Sequence, residues 1–157
     1  MKKLFLFLIV GFVLTPNFSF ANPSGKACLD YRGVMVTWVA SPNAASIADA
    51  TYAFNGNPVI VYNPEALQER SSNTRRFFHY RECGRHVLGM TLSESPTAKK
   101  EDWSKVDCWA ANTLRYENGL KKGDFVALDE DVAGLSAKEW TQAAGPVRSI
   151  QTQDCFK

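Results

Sequence analysis

The sequence lacks a second long apolar run. One run, Leu4–Leu14, follows the pair Lys2-Lys3 and precedes a small-residue pattern that ends at Ala21. This order predicts a secretory signal peptide, residues 1–21. The run is too short for a membrane-spanning helix, which needs roughly 20 apolar residues. We therefore expect an exported protein, in the periplasm or the extracellular medium, with no membrane association after cleavage and a single domain over residues 22–157.

The exported part of the chain also lacks an excess of charge. The full sequence has 18 basic and 16 acidic residues, and two of the basic ones, Lys2 and Lys3, lie in the signal peptide. Nucleic-acid binding depends on clustered Lys and Arg side chains that displace counterions from phosphates. A balanced composition without a basic stripe argues against a nucleic-acid partner.

Closely spaced cysteine pairs are absent as well. The four cysteines Cys28, Cys83, Cys108 and Cys155 are separated by 55, 25 and 47 residues. A zinc-cysteine cluster uses short spacings such as C-x-x-C, which this sequence does not contain. An even number of cysteines in an exported chain predicts two disulfide bonds, and three connectivities remain open from the residues alone.

The first half of the chain has the pattern of short strands. Apolar residues from Val34 to Val39 suit a strand, and Asn55-Gly56 lies between two further extended segments, Thr51–Phe54 and Val59–Tyr62. Asn-Gly between such segments is a strong hairpin signal. Asn63-Pro64-Glu65 then combines an N-cap, a first-turn proline and an acid, which predicts a helix start.

Helices dominate after that point. One helix is expected from a cap at Asn73 or Thr74 to about Leu88, with Gly89 as its C-terminal stop. Further helices are expected from near Asp102 to Asn118-Gly119, over Asp124–Val132, and in a last stretch that reaches Cys155. The sequence has no internal repeat and no domain-sized linker. The predicted fold class is a small α+β domain.

One helical segment, Phe77–His86, reads FFHYRECGRH. A helical H-E-x-x-H motif places two zinc-ligating histidines and a general base on adjacent turns. Here Arg81 and Arg85 stand at the two histidine positions, while Glu82 keeps the position of the base. A guanidinium group has no lone pair to donate and stays protonated, so neither arginine can bind zinc.

Four motifs in order carry a family resemblance: Glu82-Cys83-Gly84, His86–Gly89, Asp107–Ala110 and Gly145-Pro146-x-Arg148. Together they resemble a family of small secreted bacterial proteins related to gluzincin metallopeptidases. Those proteins carry H-E-C-G-H-H, then E-x-x-A-D-C-W-A, then G-P-x-R. The resemblance extends from about Val59 to Cys155 and implies a zincin-like fold.

The resemblance also implies where this chain departs from the family. The three ligand positions of the family fall on Arg81, Arg85 and Trp103, whereas the base position is Glu82 and the family aspartate is Asp107. A base without a metal-bound water has nothing to activate. We therefore expect no bound metal or other cofactor and no peptidase activity.

The family pattern further implies a pairing of the cysteines. It places Cys108 on a helix beneath the C-terminal tail, which implies a Cys108–Cys155 bond. A Cys28–Cys83 bond would then anchor the N-terminal segment to the motif helix.

A relocated metal site is an alternative. His79, Glu82 and His86 lie at i, i+3 and i+7, so one helix face carries all three. Histidines seven residues apart are about 10 Å apart along the helix axis, which is long for one ion bound from a straight helix. The other interpretation treats both histidines as polar-tipped residues at the edge of a packed helix.

Two hypotheses concern the arginines. Arg81 and Arg85 could be solvated charges on an exposed helix face. Alternatively, they replace the metal electrostatically by neutralising Glu82 and Asp107. In that case each guanidinium group lies roughly 2.7–2.9 Å from a carboxylate oxygen.

The leading functional hypothesis is an exported, catalytically inactive metallopeptidase relative that binds an unidentified protein or peptide or serves as a scaffold. One alternative is an active zinc hydrolase with a relocated site that uses Glu82 and His86. Another is a secreted inhibitor or a host-directed binding module. The sequence does not define the oligomeric state.

Overall fold

The computed structural model describes residues 27–92, 100–136, 139 and 150–156. The elements are β1 (Thr37–Ala40), β2 (Ala48–Tyr52), β3 (Pro58–Tyr62), α1 (Pro64–Gln68), α2 (Ser72–Val87), α3 (Lys100–Asn118), α4 (Lys122–Ala133) and two 3-10 helices (Met90–Leu92 and Thr152–Phe156). The expected signal peptide and the Gly145-Pro146-x-Arg148 motif lie outside the described residues.

The three strands form one mixed sheet in the order β1-β3-β2. β1 pairs with β3 in parallel, and β2 pairs with β3 in antiparallel register, with Ala50 opposite Ile60. The turn between β2 and β3 contains Gly56, whose φ of 79° favours glycine, and the Gly56 N–H donates to the Ala53 carbonyl over 2.8 Å. The predicted hairpin is confirmed.

The start of α1 follows the local chemistry of its cap. The Asn63 side-chain oxygen accepts the backbone N–H groups of Glu65 and Ala66 at 3.1 and 3.2 Å. Pro64 occupies the first turn, where its missing N–H costs nothing. The predicted helix start is confirmed.

The cap of α2 is Ser71, and the prediction of Asn73 or Thr74 was wrong. The Ser71 hydroxyl accepts the Thr74 N–H at 3.2 Å. The Thr74 hydroxyl instead donates to Asp131 on α4 over 2.6 Å, a tertiary contact that the local sequence does not reveal. The other end follows the prediction, because Gly89 has a φ of 68° just beyond the last helical turn.

Both later helices begin two residues before their predicted starts. In α4 the reason is a capping interaction: the Asp124 carboxylate accepts the Lys121 N–H at 2.8 Å from the third helical position. Asp124 therefore stabilises the first turn from within rather than starting it. The predicted last helical stretch reaches Cys155 as a 3-10 helix, Thr152–Phe156.

Helix α2 is the centre of the fold. Its residues from Phe77 to His86 are all buried, because the helix contacts the edge strand β2, α3 and α4. The apolar core combines sheet residues such as Ile60 with α2 residues such as Phe78 and α3 residues such as Leu114. The α+β prediction is confirmed. Among the described helices, none is both long and apolar enough to cross a bilayer.

Two disulfide bonds join the first and last described segments to helices α2 and α3. Cys28 is bonded to Cys83 on α2, and Cys108 on α3 is bonded to Cys155 in the C-terminal 3-10 helix. These are the two pairs that the family resemblance implied. Two disulfides fit an exported protein, since such bonds persist in oxidising compartments.

Candidate functional site

The motif arginines are buried inside the protein. Arg81 and Glu82 are 0% exposed and Arg85 is 7% exposed. All three lie on the part of α2 that is enclosed between β2 and α3, so their charges are removed from water. The hypothesis that the arginines are solvated surface charges is wrong.

Glu82 is held by three donors. Arg81 Nη1 lies 2.6 Å from Oε1, and Arg85 Nη1 lies 2.7 Å from Oε2. The backbone N–H of Ala50 donates to Oε2 over 2.9 Å. Since β2 is at the edge of the sheet, this N–H has no neighbouring strand to bond to, and the Glu82 carboxylate takes that place. Both oxygens of the base-position residue are therefore engaged.

Two further carboxylates complete the cluster. Arg81 Nε donates to Asp107 Oδ1 on α3 over 2.8 Å, and Arg85 Nη1 donates to Asp49 Oδ1 on β2 over 2.7 Å. We call Asp49, Arg81, Glu82, Arg85 and Asp107 the arginine network. It connects β2, α2 and α3 through charge-assisted hydrogen bonds, which are the strong kind.

Trp103 closes the network on the α3 side. Its ring centroid lies 5.3 Å from Arg81 Cζ and also 5.3 Å from Arg85 Cζ, within the range of cation–π attraction. The side chain is 9% exposed. The three positions that the resemblance equates with zinc ligands thus meet in space, although 18 residues of sequence separate Arg85 from Trp103.

The environment keeps Arg85 charged. Burial alone would lower its pKa, but the carboxylates of Glu82 and Asp49 outweigh burial and raise the pKa above the ordinary arginine value. The guanidinium group therefore remains a fixed positive charge between two acids. Fixed charge in a buried site requires such partners, because an unpaired buried ion is costly.

The two histidines of the alternative metal site are directed elsewhere. The His79 ring stacks on Trp38, with centroids 4.7 Å apart and an interplanar angle of 11°. His86 Nε2 lies 2.9 Å from the Val59 carbonyl oxygen. Both residues are almost completely buried, so their placement at a helix edge was wrong. Within the described part of the chain, no group of three His, Cys, Asp or Glu side chains is arranged to hold a metal ion.

Burial also changes the acid–base behaviour of these histidines. It lowers the pKa of His79 to about 4. It lowers the pKa of His86 as well, against the opposing effect of the Val59 carbonyl. Both rings are therefore neutral at pH 7 and serve the packing of α2.

The donor set of the site does not fit zinc. Two of the three converging positions are arginines, which have no lone pair, and the third is a tryptophan, whose indole N–H only donates. The one carboxylate at the centre, Glu82, has both oxygens occupied by donors. A metal ion would have to displace two buried guanidinium groups to reach it.

Sequence reasoning missed Asp49 and the Ala50 N–H. The signal available was a single acid inside the short strand sequence ADATY, between two alanines. A charge in such a strand indicates a buried or edge partner. The identity of that partner, Arg85, follows only from the packing of α2 along β2.

No protein-family model matches this chain, and no curated protein or solved structure matches it significantly. The resemblance to gluzincin-related proteins therefore stays a prediction.

Proposed function

We propose that this chain is an exported, catalytically inactive relative of zincin-like metallopeptidases that acts by binding a protein or peptide. One observation carries the proposal: Arg81, Arg85 and Trp103 converge within cation–π distance around the base-position residue Glu82. Convergence of these positions is what an ancestral three-ligand site would leave behind after its ligands were replaced.

The state of Glu82 supports the absence of catalysis. A general base must offer a free oxygen to the proton it accepts. Both Glu82 oxygens already accept hydrogen bonds, two of them from guanidinium groups at 2.6 and 2.7 Å. Neither guanidinium group can replace the metal ion that generates the bound hydroxide of a metallopeptidase.

The connectivity of the network supports a structural role for it. A zinc ion in a zincin-like site would connect its helices through ligand bonds. Here Arg81 connects α2 to α3 through Asp107, and Arg85 connects α2 to β2 through Asp49. Together with the two disulfide bonds, these ion pairs favour a stable exported scaffold whose surface binds the protein or peptide.

Zinc binding and proteolysis test the proposal together. The purified wild-type protein should hold no stoichiometric zinc after incubation with the metal and dialysis, and it should not cleave casein. The triple variant Arg81→His, Arg85→His, Trp103→Glu should bind zinc, since it restores two imidazoles and a carboxylate.

A matched control isolates the third ligand. The variant Arg81→His, Arg85→His, Trp103→Gln keeps the same bulk but supplies no carboxylate, and it should bind zinc at least about tenfold more weakly. Tightly held zinc or zinc-dependent cleavage by the wild-type protein would end the proposal. Equal zinc affinity of the two triple variants would show that a carboxylate at position 103 does not bind the metal.

A further inference from the structure

A cavity lies away from the arginine network, between α3, α4 and the C-terminal 3-10 helix. Its volume is about 390 Å³, within the range of small-ligand sites. Leu120, Phe125 and Phe156 form its apolar lining, and its polar groups come from Arg115, Lys121, Lys122 and Gln153.

The apolar lining is held in place by the fold. Phe125 on α4 is 1% exposed, and its ring centroid lies 4.7 Å from that of Phe156. Phe156 follows Cys155, whose disulfide bond to Cys108 fixes this segment on α3. The cavity therefore has a preformed aromatic wall, which lowers the ordering cost of binding.

Three cations surround this wall. Arg115 Cζ lies 4.9 Å from the Phe156 ring centroid. Within the described residues, no ion pair involves Arg115, Lys121 or Lys122. The neighbouring acid Asp124 is oriented to the Lys121 backbone N–H at 2.8 Å. The cavity thus combines an apolar surface with three cations that form no ion pair within the described part of the chain.

The N-terminus of α4 adds to the positive potential. The helix has 12 residues and begins at Lys122. The N–H groups of Lys122 and Gly123 have no carbonyl partner within the helix, whereas those of Asp124 and Phe125 donate to the Lys121 carbonyl at 3.0 and 3.3 Å. The partial positive charge of the Lys122 and Gly123 N–H groups favours an anion at this end, where the Asp124 carboxylate accepts only the Lys121 N–H among the described contacts. Gly123, in the first turn, has no atom within 4 Å of the position a Cβ would take, so the space beside these N–H groups is open.

We infer that this cavity binds a carboxylate carried on an aromatic or branched aliphatic group. The apolar body would contact the partly buried Phe156, which packs on the buried Phe125, and the carboxylate would meet Arg115, Lys122 and the start of α4. The C-terminal residue of a peptide and a free aryl acid both offer this chemistry. The inference goes beyond the proposed function, since it does not depend on the arginine network or on any ancestral zinc site.

Titration of the oxidised protein with small probes tests the inference. N-acetylphenylalanine should shift backbone NMR signals of residues around Lys122 and Phe156 at concentrations of about 10 mM or below. N-acetylphenylalaninamide has the same body without the charge and should bind at least about tenfold more weakly. Equal affinity for acid and amide, shifts that map elsewhere, or no binding of the acid would overturn the inference.

Variants identify the groups that hold the anion. Arg115→Gln and Lys122→Gln should each weaken binding about fivefold or more, and added salt should weaken binding to the wild-type protein. Lys105→Gln removes an exposed lysine from α3 and is the matched control. Loss of affinity equal to that of this control would contradict the inference.

Two more probes distinguish a peptide C-terminus from a small-molecule acid as the source of the carboxylate. A short peptide ending in phenylalanine and 3-phenylpropionate carry the same terminal chemistry. Tighter binding of the peptide would identify the site as one for peptide C-termini, and tighter binding of the acid would identify a small-molecule site. Either result keeps the inference, and binding of neither probe overturns it.

Discussion

Arg81 Nε and Asp107 Oδ1 lie 2.8 Å apart and join α2 to α3 inside the protein. The Arg81 side chain is 0% exposed and that of Asp107 is 7% exposed. Burial of two charges costs several kcal/mol each unless hydrogen bonds compensate. Arg81 satisfies this condition through Asp107 on one side and Glu82 on the other. Removal of either Arg81 or Asp107 should therefore lower the free energy of unfolding.

The first prediction is that Asp107→Ala destabilises the protein by at least about 2 kcal/mol. Removing one member of a buried pair leaves its partner charged and unpaired, and such losses run to about 3–5 kcal/mol. Arg85→Ala should behave in the same way, because it removes a partner from both Glu82 and Asp49. Urea denaturation of the wild-type protein and the two variants measures the change.

The Asp102–Lys105 pair provides the control for this prediction. It lies on α3 like Asp107, but the two side chains are 42% and 71% exposed and 3.2 Å apart. Surface pairs contribute about 0–1 kcal/mol. Asp102→Ala should therefore change stability by no more than about 0.5 kcal/mol. If Asp107→Ala had an effect this small, the network would have no structural role.

The second prediction concerns the close approach of α2 and α3 at Gly84. A Cβ at this position would lie 2.8 Å from Trp109 Cε3 and 3.3 Å from Cδ2. Alanine gains up to about 1 kcal/mol of helix propensity over glycine, but overpacking against a ring costs about 1–3 kcal/mol. Gly84→Ala should therefore lower the free energy of unfolding.

A second glycine on another helix serves as the matched variant. Gly123 on α4 has open space around the position of a Cβ. Gly123→Ala should leave stability unchanged or raise it by up to about 1 kcal/mol. Thermal unfolding of both variants decides the matter. A Gly84→Ala protein more stable than the wild type would show that Trp109 moves aside without cost.

Local signals explain which parts of the fold could be predicted from the sequence. The start of α1 depends on the Asn63 side chain and its own next residues, and the end of α2 depends on the backbone freedom of Gly89. Both are determined within a few residues. The cap of α2 was missed because the Thr74 hydroxyl bonds to Asp131, 57 residues away.

The candidate site likewise contains residues that local sequence could predict and residues that only tertiary packing brings in. The motif helix brings Arg81, Glu82 and Arg85 together by its own periodicity, and the residue types alone exclude the two arginines as zinc ligands. Asp49 could not be assigned, because its contact with Arg85 depends on the edge strand lying along α2. The histidines were misplaced because the sequence does not show how deeply a central helix is buried on all sides.

The third prediction is that His79 titrates near pH 4. Its ring is enclosed against Trp38 and Tyr80, and burial lowers its pKa from 6.5 to about 4, although Glu117 acts in the opposite direction. The histidine Cε1–H signal, followed by NMR against pH, measures this value. A midpoint near the ordinary 6.5 would mean that water reaches the ring.

The same shift has a consequence for stability, with a definite sign. The unfolded chain protonates His79 near pH 6.5, whereas the folded protein does so near pH 4. The contribution of His79 to the free energy of unfolding is therefore fully present above pH 6.5. It falls by about 3 kcal/mol as the pH drops towards 4. His79→Phe keeps the stack on Trp38 and should reduce this pH dependence by a similar amount. An unchanged slope would assign the loss to other groups.

The last prediction concerns the two disulfide bonds. Their loops span 55 and 47 residues, so each bond should stabilise the protein by about 4 kcal/mol through restriction of the unfolded chain. The double variants Cys28→Ala, Cys83→Ala and Cys108→Ala, Cys155→Ala should lose similar amounts in urea denaturation, because the loops are nearly equal in length. Peptide mapping without reductant should find only these two pairs. A different connectivity would contradict the structure, and a loss below about 1 kcal/mol would show that residual structure already restricts the unfolded chain without the bond.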